Sequence, residues 1–157
     1  MPIQHNKQHP DIVLYQPDIP GNTGTILRLA ACLGLDLHII EPAGFRLDDK
    51  SLKRAGMDYV ELAALQRHDD WAVFQAWRIA EKRRLILLTT KAQQAYTDFK
   101  YQTGDCLMFG RESAGVPEDV ADAANERLTI PMEKEARSLN VAMSVAMVAG
   151  EAVRQLG

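Results

Sequence analysis

Three segments gather the residues whose types and spacing could do chemistry. The first runs from Gln16 to Arg28 (QPDIPGNTGTILR), the second from Leu107 to Pro117 (LMFGRESAGVP), the third from Ile130 to Asn140 (IPMEKEARSLN). In the first, two prolines and two glycines force an irregular turn, and Asn22 or Thr23 is placed to cap the helix that follows. It has neither the lysine of a P-loop nor a GxGxxG spacing, so phosphate cradling is not its chemistry. Arg28 is the one charge on an otherwise apolar helix. A guanidinium against an apolar interface is costly unless it meets an anion or a carboxylate. In the second segment a strand stops at Gly110, Glu112 sits in the turn, and Pro117 opens a helix. In the third, Ser138 and Asn140 precede the last helix, and capping accounts for one of these polar residues but not both. The chain has no GxSxG elbow, no HExxH and no Cys/His metal spacing. His5 and His9 fall in the tail, His38 falls within a strand, and His68 precedes a helix, where a surface role is expected.

The elements that position these segments follow from hydrophobic period. Strands are expected at Ile12–Tyr15, Leu37–Ile40, Tyr59–Leu62, Leu85–Thr89, Cys106–Phe109 and Arg127–Ile130. Helices are expected at Thr23–Leu33, Lys50–Ala55, Asp70–Lys82, Glu118–Ala124 and Leu139–Gln155. This alternation predicts an α/β domain with a mostly parallel sheet flanked by helices. It occupies residues 11–157, behind an unstructured tail at 1–10. The three segments then sit at strand ends, where open α/β sheets bind ligands.

Two helices carry further information. In the first, Ile26, Leu29, Ala30 and Leu33 make a core stripe, with Leu27 and Ala31 on the flank away from it and Arg28 pointing away from the sheet. In the last, Val141, Val145, Val148 and Ala152 make one stripe, while Ala142, Met143, Ala146, Met147 and Ala149 fill the other side. A helix apolar all round needs a second cover, and the simplest is another copy of the chain. A homodimer pairing these two helices is expected.

Bulk composition bounds the class. At 46% hydrophobic and 25% charged, 157 residues suit one globular domain. The polar first ten residues do not form a signal peptide, and Val141–Gly150 is too short for a membrane span, for which about 18–20 apolar residues are needed. Cys32 and Cys106 each lie in an apolar run, as reduced core thiols of a cytoplasmic protein would. A net charge of −3 means that any nucleic-acid partner must be met by a local basic patch. Candidates are Arg46, Lys50, Lys53 and Arg54, or Lys82, Arg83 and Arg84, though spacing alone favours reading each as a solvated surface. From composition and spacing alone, this is an α/β domain that binds something at glycine-rich strand ends.

The three segments, in this order, resemble the three motifs of the TrmH-like branch of the SPOUT methyltransferases, and most closely the TrmL (YibK) family. The likeness runs from Ile12 to the C-terminus, through Leu37–Phe45 (LHIIEPAGF) and Asp48–Tyr59 (DDKSLKRAGMDY). The resemblance implies the SPOUT (α/β knot) fold, with a C-terminal deep trefoil knot that ordinary topology rules would not propose. It implies S-adenosyl-L-methionine as cofactor, released as S-adenosyl-L-homocysteine, with no metal. It also implies a homodimer acting on the tRNA anticodon stem-loop: 2′-O-methylation of wobble nucleotide 34, cytidine or uridine, of leucine tRNAs.

By matching positions, Leu88, Gly110, Ile130, Ser138 and Leu139 would contact the cofactor, and Gly110 would let backbone approach it. Arg28, Glu112 and Asn140 would be catalytic, while Asn22, Arg46, Lys53 and Arg54 would position RNA. Arg28 would either take the proton of the 2′-hydroxyl or stabilise the developing alkoxide; a guanidinium holds its proton so tightly that the first role is expensive. Two residues depart from the pattern: Arg111, where relatives often carry proline, and Met143, where a smaller or polar residue is usual. The same residues leave open another tRNA or rRNA position, or a non-catalytic dimer that binds adenosylmethionine or RNA.

Overall fold

The computed structural model describes residues 9–45, 50, 65–136 and 139–157. The strands are β1 (Asp11–Tyr15), β2 (Leu37–Ile40), β3 (Leu65–His68), β4 (Leu85–Leu88), β5 (Cys106–Phe109) and β6 (Glu126–Leu128). They form one sheet in the order β3-β2-β1-β5-β4-β6, and every pairing is parallel. β1, β2 and β5 are buried along their whole length, the signature of strands covered on both faces. Alternate residues divide between two cores. Ile12 and Leu14 join one, and Val13 and Tyr15 join the other.

Helices α1 (Pro20–Leu33) and α4 (Val141–Leu156) cover the first core; α2 (Trp71–Ala80) and α3 (Glu118–Ala123) cover the second. α1 starts three residues before the expected Thr23 because Pro20 takes the first helical position, where its missing N–H costs nothing. Its N-cap is Ile19 with no side-chain cap, so neither Asn22 nor Thr23 caps it. It ends at Gly34, whose φ of 69° is the left-handed conformation that glycine supplies at a C-terminus. Leu27 is fully buried, not on an outer flank, so the buried face is centred between Ile26 and Leu27. α2 is capped by Asp70, whose side chain accepts from the Val73 N–H at 2.9 Å.

Other expectations shift. The last strand is Glu126–Leu128 rather than Arg127–Ile130, and Cys32 is exposed rather than a core thiol. Pro10 is already buried, so burial begins ahead of Asp11. The strand expected at Tyr59–Leu62 and, apart from Lys50, the helix expected at Lys50–Ala55 lie outside the described residues. No described helix is long and apolar enough to cross a membrane.

His68 is the clearest correction. It is buried rather than superficial, on a strand that hydrophobic period did not indicate. Its Nε2 lies 3.0 Å from His38 Nδ1, and His38 Nε2 lies 2.8 Å from Asp11 Oδ2. Trp77 and Phe74 pack around both rings.

Candidate active site

The chain leaves β1 through Gln16, a non-glycine residue at φ 43°, and turns away from the sheet into Pro17–Ile19. Where β1, β4 and β5 end and the segment after β6 passes over them, a cleft of about 790 Å³ opens. Asn22, Leu88, Gly110, Glu112, Ile130, Leu139 and Asn140 all line it. Residues chosen from the three separate segments, with Leu88 from the end of β4, thus meet in one place. Arg28 does not line the cleft; it is exposed on α1. Ser138, Arg46, Lys53 and Arg54 lie outside the described residues.

Asn140 accounts for both of its possible uses. As N-cap of α4 its Oδ1 accepts from the N–H groups of Ala142 (2.8 Å) and Met143 (3.3 Å). Its Nδ2 donates to Asn22 Oδ1 at 3.0 Å, tying the third segment to the first.

The second segment closes on itself. Arg111 and Gly115 exchange backbone hydrogen bonds of 3.0 and 2.9 Å, and Gly115 takes a φ of +61°. A Cβ on Gly110 would lie 2.7 Å from Gly115 backbone, so the close approach that requires glycine there is made by the loop itself rather than by a ligand. The loop presents Glu112, whose Oε2 accepts from the Asp18 N–H at 3.1 Å. Burial, then the neighbouring Asp18 side chain, pushes the Glu112 carboxyl above its ordinary pKa. Asp18 moves the opposite way, lowered by hydrogen bonding to Glu112 and Ser113.

Asp18 and Ser113 were not singled out from sequence, although both lie inside the segments that were. Lys91 and Arg127 were also missed, because they come from the ends of β4 and β6, outside those segments. With Arg111 they put positive charge on the cleft, and the Arg111 guanidinium lies 5.5 Å from the Tyr15 ring centroid. The Lys82–Arg84 cluster is divided: Lys82 is exposed, as on a solvated face, whereas Arg83 and Arg84 are engaged with carboxylates. Arg83 bonds Asp11 at 2.8 Å and Arg84 bonds Asp105 at 2.6 and 2.8 Å, each neutralising a buried carboxylate. Among the described residues no cluster of His, Cys, Asp and Glu is placed to hold a metal.

The cleft also suits a nucleoside-sized cofactor. Leu88, Ile130, Leu139 and Ile19 give apolar walls, and Ile19 and Leu139 are 44% and 37% exposed beside it. Polar side chains from several elements, among them Asn22, Lys91, Glu112, Arg127 and Asn140, share the lining with these apolar walls.

Comparison with known proteins agrees with this geometry. Residues 10–150 match the SpoU rRNA Methylase family. A tRNA (cytidine(34)-2'-O)-methyltransferase of Beijerinckia indica is 57% identical over 146 residues, which is 93% of this chain and 91% of that protein. A solved structure described as "Structural insights into the 2-OH methylation of C/U34 on tRNA" superposes with a TM-score of 0.89 at 40% identity, covering 96% of this chain and 98% of that one. An AdoMet-bound rRNA methyltransferase from Sinorhizobium meliloti superposes at 0.87 with 25% identity; 98% of this chain covers 59% of that longer one.

Proposed function

The chain belongs to the SpoU rRNA Methylase family, and on that premise we propose that it methylates the ribose 2′-oxygen of nucleotide 34, cytidine or uridine, in tRNA. The observation that carries this reading is the single cleft in which Asn22, Leu88, Gly110, Glu112, Ile130, Leu139 and Asn140 converge. Identity of 57% across nearly the whole length of a cytidine-34 enzyme supports the choice of substrate. Leucine tRNAs, implied by the resemblance, are the first isoacceptors to assay, with the anticodon stem-loop as the recognised element. The setting is the cytoplasm.

Leu88, Gly110, Ile130, Ser138 and Leu139 would hold S-adenosylmethionine, which when bound would supply an electrophilic methyl group and leave as a neutral thioether. The protein must bring the ribose hydroxyl into line and favour loss of its proton. Glu112 and Asn140 orient that hydroxyl from the rim. Arg28 would supply positive charge for the developing alkoxide as the C–O bond forms and the C–S bond breaks, and the hydroxyl proton would leave to solvent water.

Because Arg28 is exposed on α1 and does not line its own cleft, the complete site takes Arg28 from a second copy. The dimer face is the outer side of α4, where Met143 and Met147 are 62% and 40% exposed, together with α1. The C-terminal knot belongs to the same reading. It is supported by the path of the chain after β6, which pairs Thr129 with Gln94 and Tyr96, and by Gln155 of α4 bonding back to Phe99 and Tyr101. Arg46, Lys53 and Arg54 position the RNA, with Asn22 at the rim.

The test is transfer of labelled methyl from S-adenosylmethionine to tRNA from cells lacking the gene. Alkali-resistant dinucleotides carrying the label identify ribose 2′-O-methylation. Label on rRNA alone, or cofactor binding with no transfer to any RNA, refutes the reading.

A further inference from the structure

We infer that Asp18 is a positioning residue of the transfer site, clamping the Glu112 loop between neighbouring strand ends and fixing the Glu112 carboxyl at the mouth of the cleft. The inference rests on the methyl-transfer reading above for its consequence, though not for its geometry.

The loops after β2, β1 and β5 meet edge to edge, and Asp18 stands in the middle one. Behind it, the Gly44 N–H donates to Pro17 O at 2.8 Å. A Cβ on Gly44 would lie 2.9 Å from Asp18 Cβ and 3.0 Å from its Cα, so there is no slack on that side. In front, the Asp18 N–H donates to Glu112 Oε2 at 3.1 Å, and the Ser113 hydroxyl donates to Asp18 Oδ2. One residue therefore holds the Glu112 loop by its backbone and its side chain at once.

The remaining oxygen, Asp18 Oδ1, is buried without a hydrogen-bond partner. Two carboxyls within reach of each other do not ionise independently. A proton kept on Glu112 would satisfy that acceptor, in keeping with the upward shift of Glu112 and the downward shift of Asp18. Among the described residues, the other charged groups on this cleft are Lys91, Arg111, Arg127 and Glu118. Arg111 is tied to Gly115 O, and Arg127 to Asp122. A neutral, oriented Glu112 adds no negative charge beside an alkoxide or an RNA phosphate, which an ionised one would do.

The experiment compares wild type, Asp18→Asn and Ser113→Ala by two readouts. The first is carboxyl ¹³C titration of Glu112; the second is methyl transfer to tRNA over pH, with cofactor affinity measured alongside. Asp18→Asn should lower the Glu112 midpoint and reduce kcat about tenfold. Adenosylmethionine affinity should stay within about twofold, since the change is nearly isosteric. Ser113→Ala, on an exposed loop, should move the midpoint the same way by less, and it keeps the test alive should Asp18→Asn unfold. An unmoved Glu112 midpoint in both variants overturns the clamp, as does an unchanged kcat. Wild type that methylates no tRNA, in the presence of a shifted midpoint, overturns the methyl-transfer reading and leaves the clamp standing.

Discussion

Asn140 caps α4 through Oδ1 and holds Asn22 through Nδ2. Substitution can separate these uses. Asn140→Ala removes both and should cost about 1 kcal/mol of stability, the usual worth of an N-cap. Asn140→Asp keeps an acceptor for the helix amides but loses the donor to Asn22, so its denaturation midpoint should stay at or above that of Asn140→Ala while transfer activity falls in both. Equal activity in wild type and Asn140→Asp would show that the Asn22 contact is unimportant. At this scale the sequence was most informative where polar residues interrupted apolar segments, as at Glu112 and Asn140. It was least informative where the decisive partner was distant. Cys32 and Cys106 sit in similar apolar runs, yet one is exposed, and burial pushes the other's thiol up to about 12.

Among the elements, β3 was the one hydrophobic period could not indicate. Its sequence, LQRH, has two exposed polar residues at its centre, because it lies at the edge of the sheet. What anchors it is His68, stacked on His38 at a centroid distance of 5.2 Å and joined through it to Asp11 and Arg83. Burial, then the proximity of His38, lowers the His68 pKa. The folded state therefore binds fewer protons at this site than the unfolded chain does. Its stabilising contribution is complete above the unfolded value of about 6.5 and is lost as pH falls below it. Denaturation midpoints measured from pH 8 to pH 5 should decline below about 6.5, and His68→Phe should flatten that decline. A His68→Phe profile parallel to wild type would mean that other groups carry the acid sensitivity. The central strands posed less difficulty: β1, β2 and β5 are predominantly apolar, interrupted by Asp11 and His38, which is how strands covered on both faces look in a sequence.

For the whole molecule, the question is how a chain of net charge −3 handles RNA. Of the two basic clusters visible in sequence, Lys82–Arg84 is largely committed to Asp11 and Asp105 inside the fold, a pairing that only the tertiary structure reveals. Lys91 on the cleft is exposed and placed to meet phosphate, Arg111 and Arg127 beside it already bond Gly115 and Asp122, and Arg46, Lys53 and Arg54 lie outside the described residues. The apolar outer face of α4 was legible in part: Met143 and Met147 are exposed there, whereas Ala142 and Ala149, placed on that side from sequence, are buried in the core. If a second copy covers that face and lends Arg28, two inactive variants should rescue each other. Mixing Arg28→Ala with Glu112→Ala subunits, refolded together, should restore about a quarter of wild-type activity, since about half the dimers carry one intact site of two. No recovery above either variant alone would place Arg28 in its own subunit's site.

The central claim is tested most directly by locating the methyl group. Leucine tRNAs lacking the modification would be incubated with S-adenosylmethionine and either wild type or Arg28→Ala, then digested and sequenced by mass spectrometry. The account predicts one added methyl on the ribose of nucleotide 34 with wild type, and a rate lower by about two to three orders of magnitude with Arg28→Ala. A methyl group on a base, or on a ribose elsewhere in the tRNA, would contradict it.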